Sequence, residues 1–179
     1  MGRCKILLGA LASFAIVVTQ PAFAAETSIG QPVVIDGIIL HPVYLQPVHM
    51  APELPGMAHG TFDAHLELDA HADKNNAQGF DPGAWIPYLT VSYSLRKIGG
   101  DWSAVGTMMA MTANDGPHYG ANVKFDGPGK YRLQVSILPP PYAGFLRHTD
   151  KETGVAPWWA PIQENWDFVY TGVGHKGAY

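Results

Sequence analysis

Alternation of apolar and polar residues is the clearest regularity along the chain. In Leu89-Thr90-Val91-Ser92-Tyr93-Ser94-Leu95-Arg96 the odd positions are apolar and the even ones polar, and Tyr131-Arg132-Leu133-Gln134-Val135-Ser136-Ile137 repeats the pattern. A period of two sends one set of side chains to a buried face and the other to water, as in a half-buried antiparallel strand. Trp166-Asp167-Phe168-Val169-Tyr170 predicts another strand near the C-terminus. Val43 to Val48 is extended but bracketed by Pro42 and Pro47, which places it at a sheet edge. No stretch carries a 3.6-residue apolar period of useful length. Turn residues separate the runs, among them Asn75-Asn76, Asp81-Pro82-Gly83, Gly99-Gly100, Asp115-Gly116-Pro117 and Asp126-Gly127-Pro128-Gly129. This spacing predicts an all-β chain folded as an immunoglobulin-like antiparallel sandwich of about seven or more strands. Residues 139–164 are rich in Pro and Trp with weak periodicity. They predict a long ordered loop before the last strand, the kind of segment that carries function in a compact domain.

One strand is chemically unusual. From Phe62 to Asp73 every even position is apolar and every odd position is ionisable. The alternation puts His65, Glu67, Asp69 and His71 on one face, with successive side chains about 6–7 Å apart. A solvated face is the plain reading, and from the strand alone it is preferred. Solvent faces, however, are usually built from Lys, Glu and Thr, whereas imidazole with carboxylate is a divalent-metal ligand set.

Two further segments offer donors of the same kind. Met108-Met109-Ala110-Met111 precedes a turn at Asp115-Gly116, and that turn would return His118 beside Met111. A thioether next to an imidazole favours copper, because sulfur is a soft ligand; taken alone, core methionine with a surface histidine is the simpler account. The second segment is Arg147-His148-Thr149-Asp150, in the long loop before Trp158-Trp159. His41, His49, His59 and His175 have no such context and are read as surface residues. Met50 and Met57, near His49 and His59 in a Pro-rich stretch, form a weaker metal candidate.

Composition narrows the choice. The 179 residues include 47% hydrophobic ones, enough for a real core in a one-domain length. A formal charge of −4 with no basic block argues against nucleic-acid binding, which needs clustered Lys and Arg. Arg3 and Lys5, the apolar run Ile6 to Val18 and the small-residue pattern Ala22-Phe23-Ala24 have the layout of a cleavable secretory signal peptide over residues 1–24. The apolar run is short for a bilayer span, and nothing later is long and apolar enough for membrane insertion of the mature chain. Residues 25–179 are then a single exported domain. Cleavage removes Cys4, the only cysteine, so disulfides, Cys-rich zinc sites, iron–sulfur clusters and thiolate blue-copper sites are all excluded from it. There is also no Gly-x-Ser-x-Gly elbow, no His-Glu-x-x-His helix and no phosphate-cradling glycine loop.

Several stretches taken together resemble a known family. Val43-Tyr44-Leu45-Gln46-Pro47, His65-Leu66-Glu67 with His71, Trp85 to Thr90, Asp115-Gly116-Pro117-His118-Tyr119-Gly120-Ala121-Asn122, and Arg147-His148-Thr149-Asp150 leading into Glu152-Thr153-Gly154-Val155 occur in order. They resemble the bacterial periplasmic iron-transport accessory proteins, copper-binding partners of FTR-type iron permeases. The resemblance implies an immunoglobulin-like β-sandwich that forms a homodimer. It implies copper bound through Met111, His118, His148 and His65, with Glu67 as a nearby carboxylate linked to a second site for iron or another divalent metal. It also implies a periplasmic location and an inner-membrane iron permease as partner. His71 and Asp115 stay as residues behind the ligands or facing solvent.

The expected role is thus a periplasmic copper- and iron-binding protein that assists iron uptake, not an enzyme. Two alternatives compete with it. One is a copper chaperone or buffer without an iron role. The other is a non-metal binding module that grips a protein or ligand through an exposed Trp158-Trp159 loop.

Overall fold

The protein is described by a computed structural model over residues 26–57 and 59–173. The leader read over 1–24, with Cys4, and His175 lie outside these residues. Nine antiparallel strands make up the regular structure: β1 (Thr27–Ser28), β2 (Val33–Ile35), β3 (Ile38–Leu45), β4 (Ala64–Ala72), β5 (Thr90–Lys97), β6 (Ser103–Ala113), β7 (Gly116–Val123), β8 (Gly129–Leu138) and β9 (Ile162–Tyr170). The only helical element among the described residues is a short 3-10 turn, Pro140–Ala143. Neighbouring strands run in the order β1-β3-β4-β7-β6-β5-β8-β9, with β2 also on β3.

Strand β6 is shared between two halves of this path. Its residues Ser103 to Met108 pair with β5, and Met109 to Ala113 pair with β7. The sheet folds over at that switch, and its two ends pack face to face. Tyr44 on β3 meets Phe168 and Tyr170 on β9 at ring centroid distances of 6.0 and 5.4 Å, and Phe125 stacks on Tyr170 at 3.9 Å. The inward residues of the alternating segments fill the space between: Leu66 and Leu68 from β4, Leu95 from β5, Leu133, Val135 and Ile137 from β8, all buried. An all-β antiparallel fold is what the alternation predicted.

Three local expectations need correcting. Strand β3 is not an edge, because β4 lies along one side of it and the short strands β1 and β2 along the other. Pro42 is tolerated there for a specific reason. Its carbonyl accepts the Ile29 N–H on the β1–β2 side, so its missing donor faces the same way, at the gap between those two strands. The last strand begins at Ile162, inside the segment read as loop, so that loop ends sooner and contains the 3-10 turn. The Trp158-Trp159 pair is not an exposed grip either. Trp159 is part of the core, and Trp158 is half-buried against Phe80 and Phe145.

Candidate metal centre

Strand β4 lies between β3 and β7, and the face that carries its ionisable residues is covered at one end. His65 and Glu67 are 0% and 5% exposed, whereas Asp69 and His71, two and four positions on, are half-buried. Register sets the neighbours. His65 stands opposite Asn122 and Glu67 opposite Gly120 on β7, and His118 stands opposite Met111 on β6. The Nε2 atoms of His65 and His118 lie 3.5 and 3.3 Å from Glu67 Oε1. Both nitrogens are buried and have no hydrogen-bond partner. Buried polar atoms are nearly always satisfied, so two orphans converging on one carboxylate are a donor set that fits a metal ion.

Packing around the two rings holds them in this arrangement. Gly120 makes room for His65: a β-carbon there would stand 2.5 Å from His65 Nε2 and 3.3 Å from His118 Cδ2. Tyr119 fixes β7 from the opposite face, where its buried hydroxyl donates to the Ile86 carbonyl at 2.8 Å and accepts the Leu89 N–H at 2.9 Å.

Asn122 settles which nitrogen of His65 is free. The Val48 N–H can only donate, so the Asn122 atom that receives it at 3.2 Å is the carbonyl oxygen. That oxygen also lies 2.9 Å from His65 Nδ1, which must therefore carry the proton. The lone pair is left on Nε2, facing Glu67. The Asn122 amide closes the arrangement by donating to the Val48 carbonyl at 2.8 Å, tying the segment after β3 to the site.

Electrostatics favour a cation here. Burial lowers the His65 pKa to about 4, offset in part by the Asn122 hydrogen bond, and lowers that of His118 as well. Both rings are therefore neutral donors at neutral pH. Glu67 is pushed up to about 8, first by burial and then by the charges of Glu26, Asp69 and Asp115. Without a cation the carboxyl keeps its proton; a bound metal ion would reverse that preference.

Two cavities meet at Glu67 and His118. The larger, about 520 Å³, is lined by Met109 and Met111 together with residues of the 46–57 segment. The smaller, about 190 Å³, is walled by Glu26, Asp69, His71 and Asp115. The methionines thus lie only on the larger cavity's side of Glu67, and Glu26 and Asp69 only on the smaller one's, while His118 and Asp115 border both. Of the five residues predicted from sequence, the fold gathers His65, Glu67 and His118 within 4.8 Å and sets Met111 on the cavity wall beside them. His148 does not line either cavity. It sits on the exposed loop between β8 and β9, its Nδ1 2.8 Å from Thr153 Oγ1. Thr153 gives its own hydroxyl proton to Asp150 at 2.8 Å, so His148 Nδ1 is the donor and its Nε2 lone pair is free. The sequence reading missed Gly120 and Asn122 as parts of the site, although both stand in the run Asp115 to Asn122. It also missed Glu26, whose place beside Glu67 only the tertiary fold creates.

Comparison with known proteins adds to this geometry. The family model described as Fe2+ transport protein matches residues 23–172. A UPF0423 protein of Brucella abortus is 49% identical over 161 residues, 88% of each chain. The solved structure of FetP from uropathogenic Escherichia coli superposes with a TM-score of 0.79 at 46% identity, covering 84% of this chain and 99% of that one. The copper-reconstituted P19 protein of Campylobacter jejuni gives 0.80 at 42% identity, with 84% and 99% covered.

Proposed function

Because the chain belongs to the Fe2+ transport protein family, we propose that it is a periplasmic copper-binding protein that assists iron uptake through an inner-membrane permease. The observation that carries this reading is the pair of buried, unpartnered imidazole nitrogens within 3.5 Å of one Glu67 oxygen, beside the cross-strand Met111. Two neutral imidazoles and a thioether suit copper in either oxidation state, and an ionised Glu67 supplies compensating charge. The likeness to copper-bound P19 and to a copper-bound FetP variant supports the same choice. Copper bound there brings its own redox capacity; the chain's residues orient it and tune its charge. The carboxylate side of Glu67 offers hard oxygen donors, which suit iron or another divalent ion as the second metal.

His148 enters this reading as a ligand presented to another copy. Its ring lies on an exposed loop, held by Thr153 and the Asp150 turn, and the site within one chain lacks it. A homodimer would bring one chain's loop to the other's cavity.

Copper titration of the purified protein tests the centre. His118→Ala and Met111→Leu should each weaken copper binding at least tenfold while leaving the β-sheet circular dichroism intact; unchanged affinity in both would sink the assignment. Growth under iron limitation tests the transport role. A deletion strain that grows normally there, while the protein still binds copper, would favour a copper chaperone or buffer instead.

A further inference from the structure

Four of the five methionines among the described residues take no part in the hydrophobic core. Met108 alone is buried in it; Met50, Met57, Met109 and Met111 are half-buried. All four line the 520 Å³ cavity, and all four also wall a separate space of about 70 Å³ beside it. Methionine used as filler closes gaps. Here the methionine side chains border one.

The arrangement is built by two elements. Met109 and Met111 are two positions apart on β6 and so share a face, opposite to that of Met108. The 46–57 segment folds over them, with Gly56 so close that a β-carbon would lie 3.7 Å from Met109 Cε. Asn122 pins the segment at Val48, and the Leu54 N–H donates to Met57 Sδ at 3.0 Å, which orients that sulfur. The remaining wall is neutral, contributed by Tyr93, Thr107 and Asn122 among others.

We propose that Met50, Met57 and Met109, with Met111 as the shared member, form a separate thioether site for a soft monovalent metal ion, Cu(I), adjoining the histidine centre. Three arguments fix the ligand class. Thioether sulfur selects soft ions. A wall without charge leaves a divalent ion uncompensated, so a single positive charge is the most it can hold. The space of about 70 Å³ admits an ion but is far below the roughly 300 Å³ or more of an organic-ligand pocket. The proposal shares Met111 with the copper reading above, yet the other three thioethers can be tested apart from it.

Silver(I) is the probe, titrated into protein labelled with 13C at the methionine methyls. The methyl resonances of Met50, Met57 and Met109 should shift together and saturate with one equivalent. They should do so also in His118→Ala, where the histidine centre is damaged. The triple variant M50L/M57L/M109L, close to isosteric and therefore folded, should keep its Cu(II) affinity within threefold of the parent, and the same three changes made in His118→Ala should cost at least tenfold in Ag(I) affinity. Methyls that shift independently or not at all, or a triple variant in the His118→Ala background that binds Ag(I) as His118→Ala does, would overturn the site. If the parent binds no Cu(II) but the Ag(I) results are as expected, the histidine reading falls and the thioether site stands.

Discussion

At the scale of single residues, the centre depends on groups that donate nothing to a metal. Asn122 holds one carbonyl oxygen between the Val48 N–H and His65 Nδ1, and so decides that His65 presents Nε2. An Asn122→Leu change keeps the volume and removes that choice. The imidazole would lose its fixed tautomer, and the 46–57 segment would lose both of its bonds to β7. Outer partners of this kind typically cost 10–100-fold in metal affinity when removed. The expected outcome is a loss of about tenfold or more in copper affinity, read by competition with a chelator. Asn122→Asp, which retains an acceptor at the same place, should recover part of it. If Asn122→Leu binds copper as the parent does, the ring is oriented by packing alone.

At the scale of strands, β7 shows why a small residue belongs in a run otherwise rich in function. Gly120 faces Glu67 on one side and Met109 on the other, and the His65 ring occupies the volume a side chain would take. Gly120→Ala must displace the His65 ring from its present place, because the added β-carbon would stand 2.5 Å from its Nε2. Copper binding should fall at least tenfold while the protein stays folded by circular dichroism; unchanged binding would show that β7 can shift to admit the methyl group. Strands β5, β8 and the core face of β4 were legible in the sequence because alternation reports directly which side chains face inward. The site face of β4 was not. His65 and Glu67 look like a solvated face until the 46–57 segment and β7 cover them, and no local pattern announces that cover. For the same reason the edge reading of β3 failed: Pro42 does forbid a donor, but whether a neighbouring strand needs one there depends on where β1 stops and β2 starts. Met111 and His118 were connected at sequence level only through the turn between them, whereas joining them to His65 required either the fold or a family resemblance.

At the scale of the whole molecule, the buried charges tie metal binding to stability and pH. Glu67 has a folded pKa of about 8 against an ordinary value of 4.5, so between these pH values the folded metal-free protein holds a proton that the unfolded chain has lost. Its stability contribution is therefore complete below pH 4.5 and declines as pH rises towards 8. His65 acts in the opposite sense, since its folded pKa of about 4 lies below the ordinary 6.5, and its contribution is lost as pH falls through that interval. Above pH 6.5 the histidine effect is spent and the carboxyl effect remains. The melting temperature of the metal-free protein should fall between pH 6.5 and 8, and Glu67→Gln should flatten that decline. Copper bound as proposed would reverse the picture by holding Glu67 ionised, so that binding below pH 8 would expel the carboxyl proton. Affinity should then rise by up to about tenfold per pH unit over the same interval, with close to one proton released per ion at pH 7. Calorimetry in two buffers of different ionisation enthalpy measures that proton directly. Release of a proton that persists in Glu67→Gln would assign it to another group, and its absence in the parent would remove Glu67 from the copper centre.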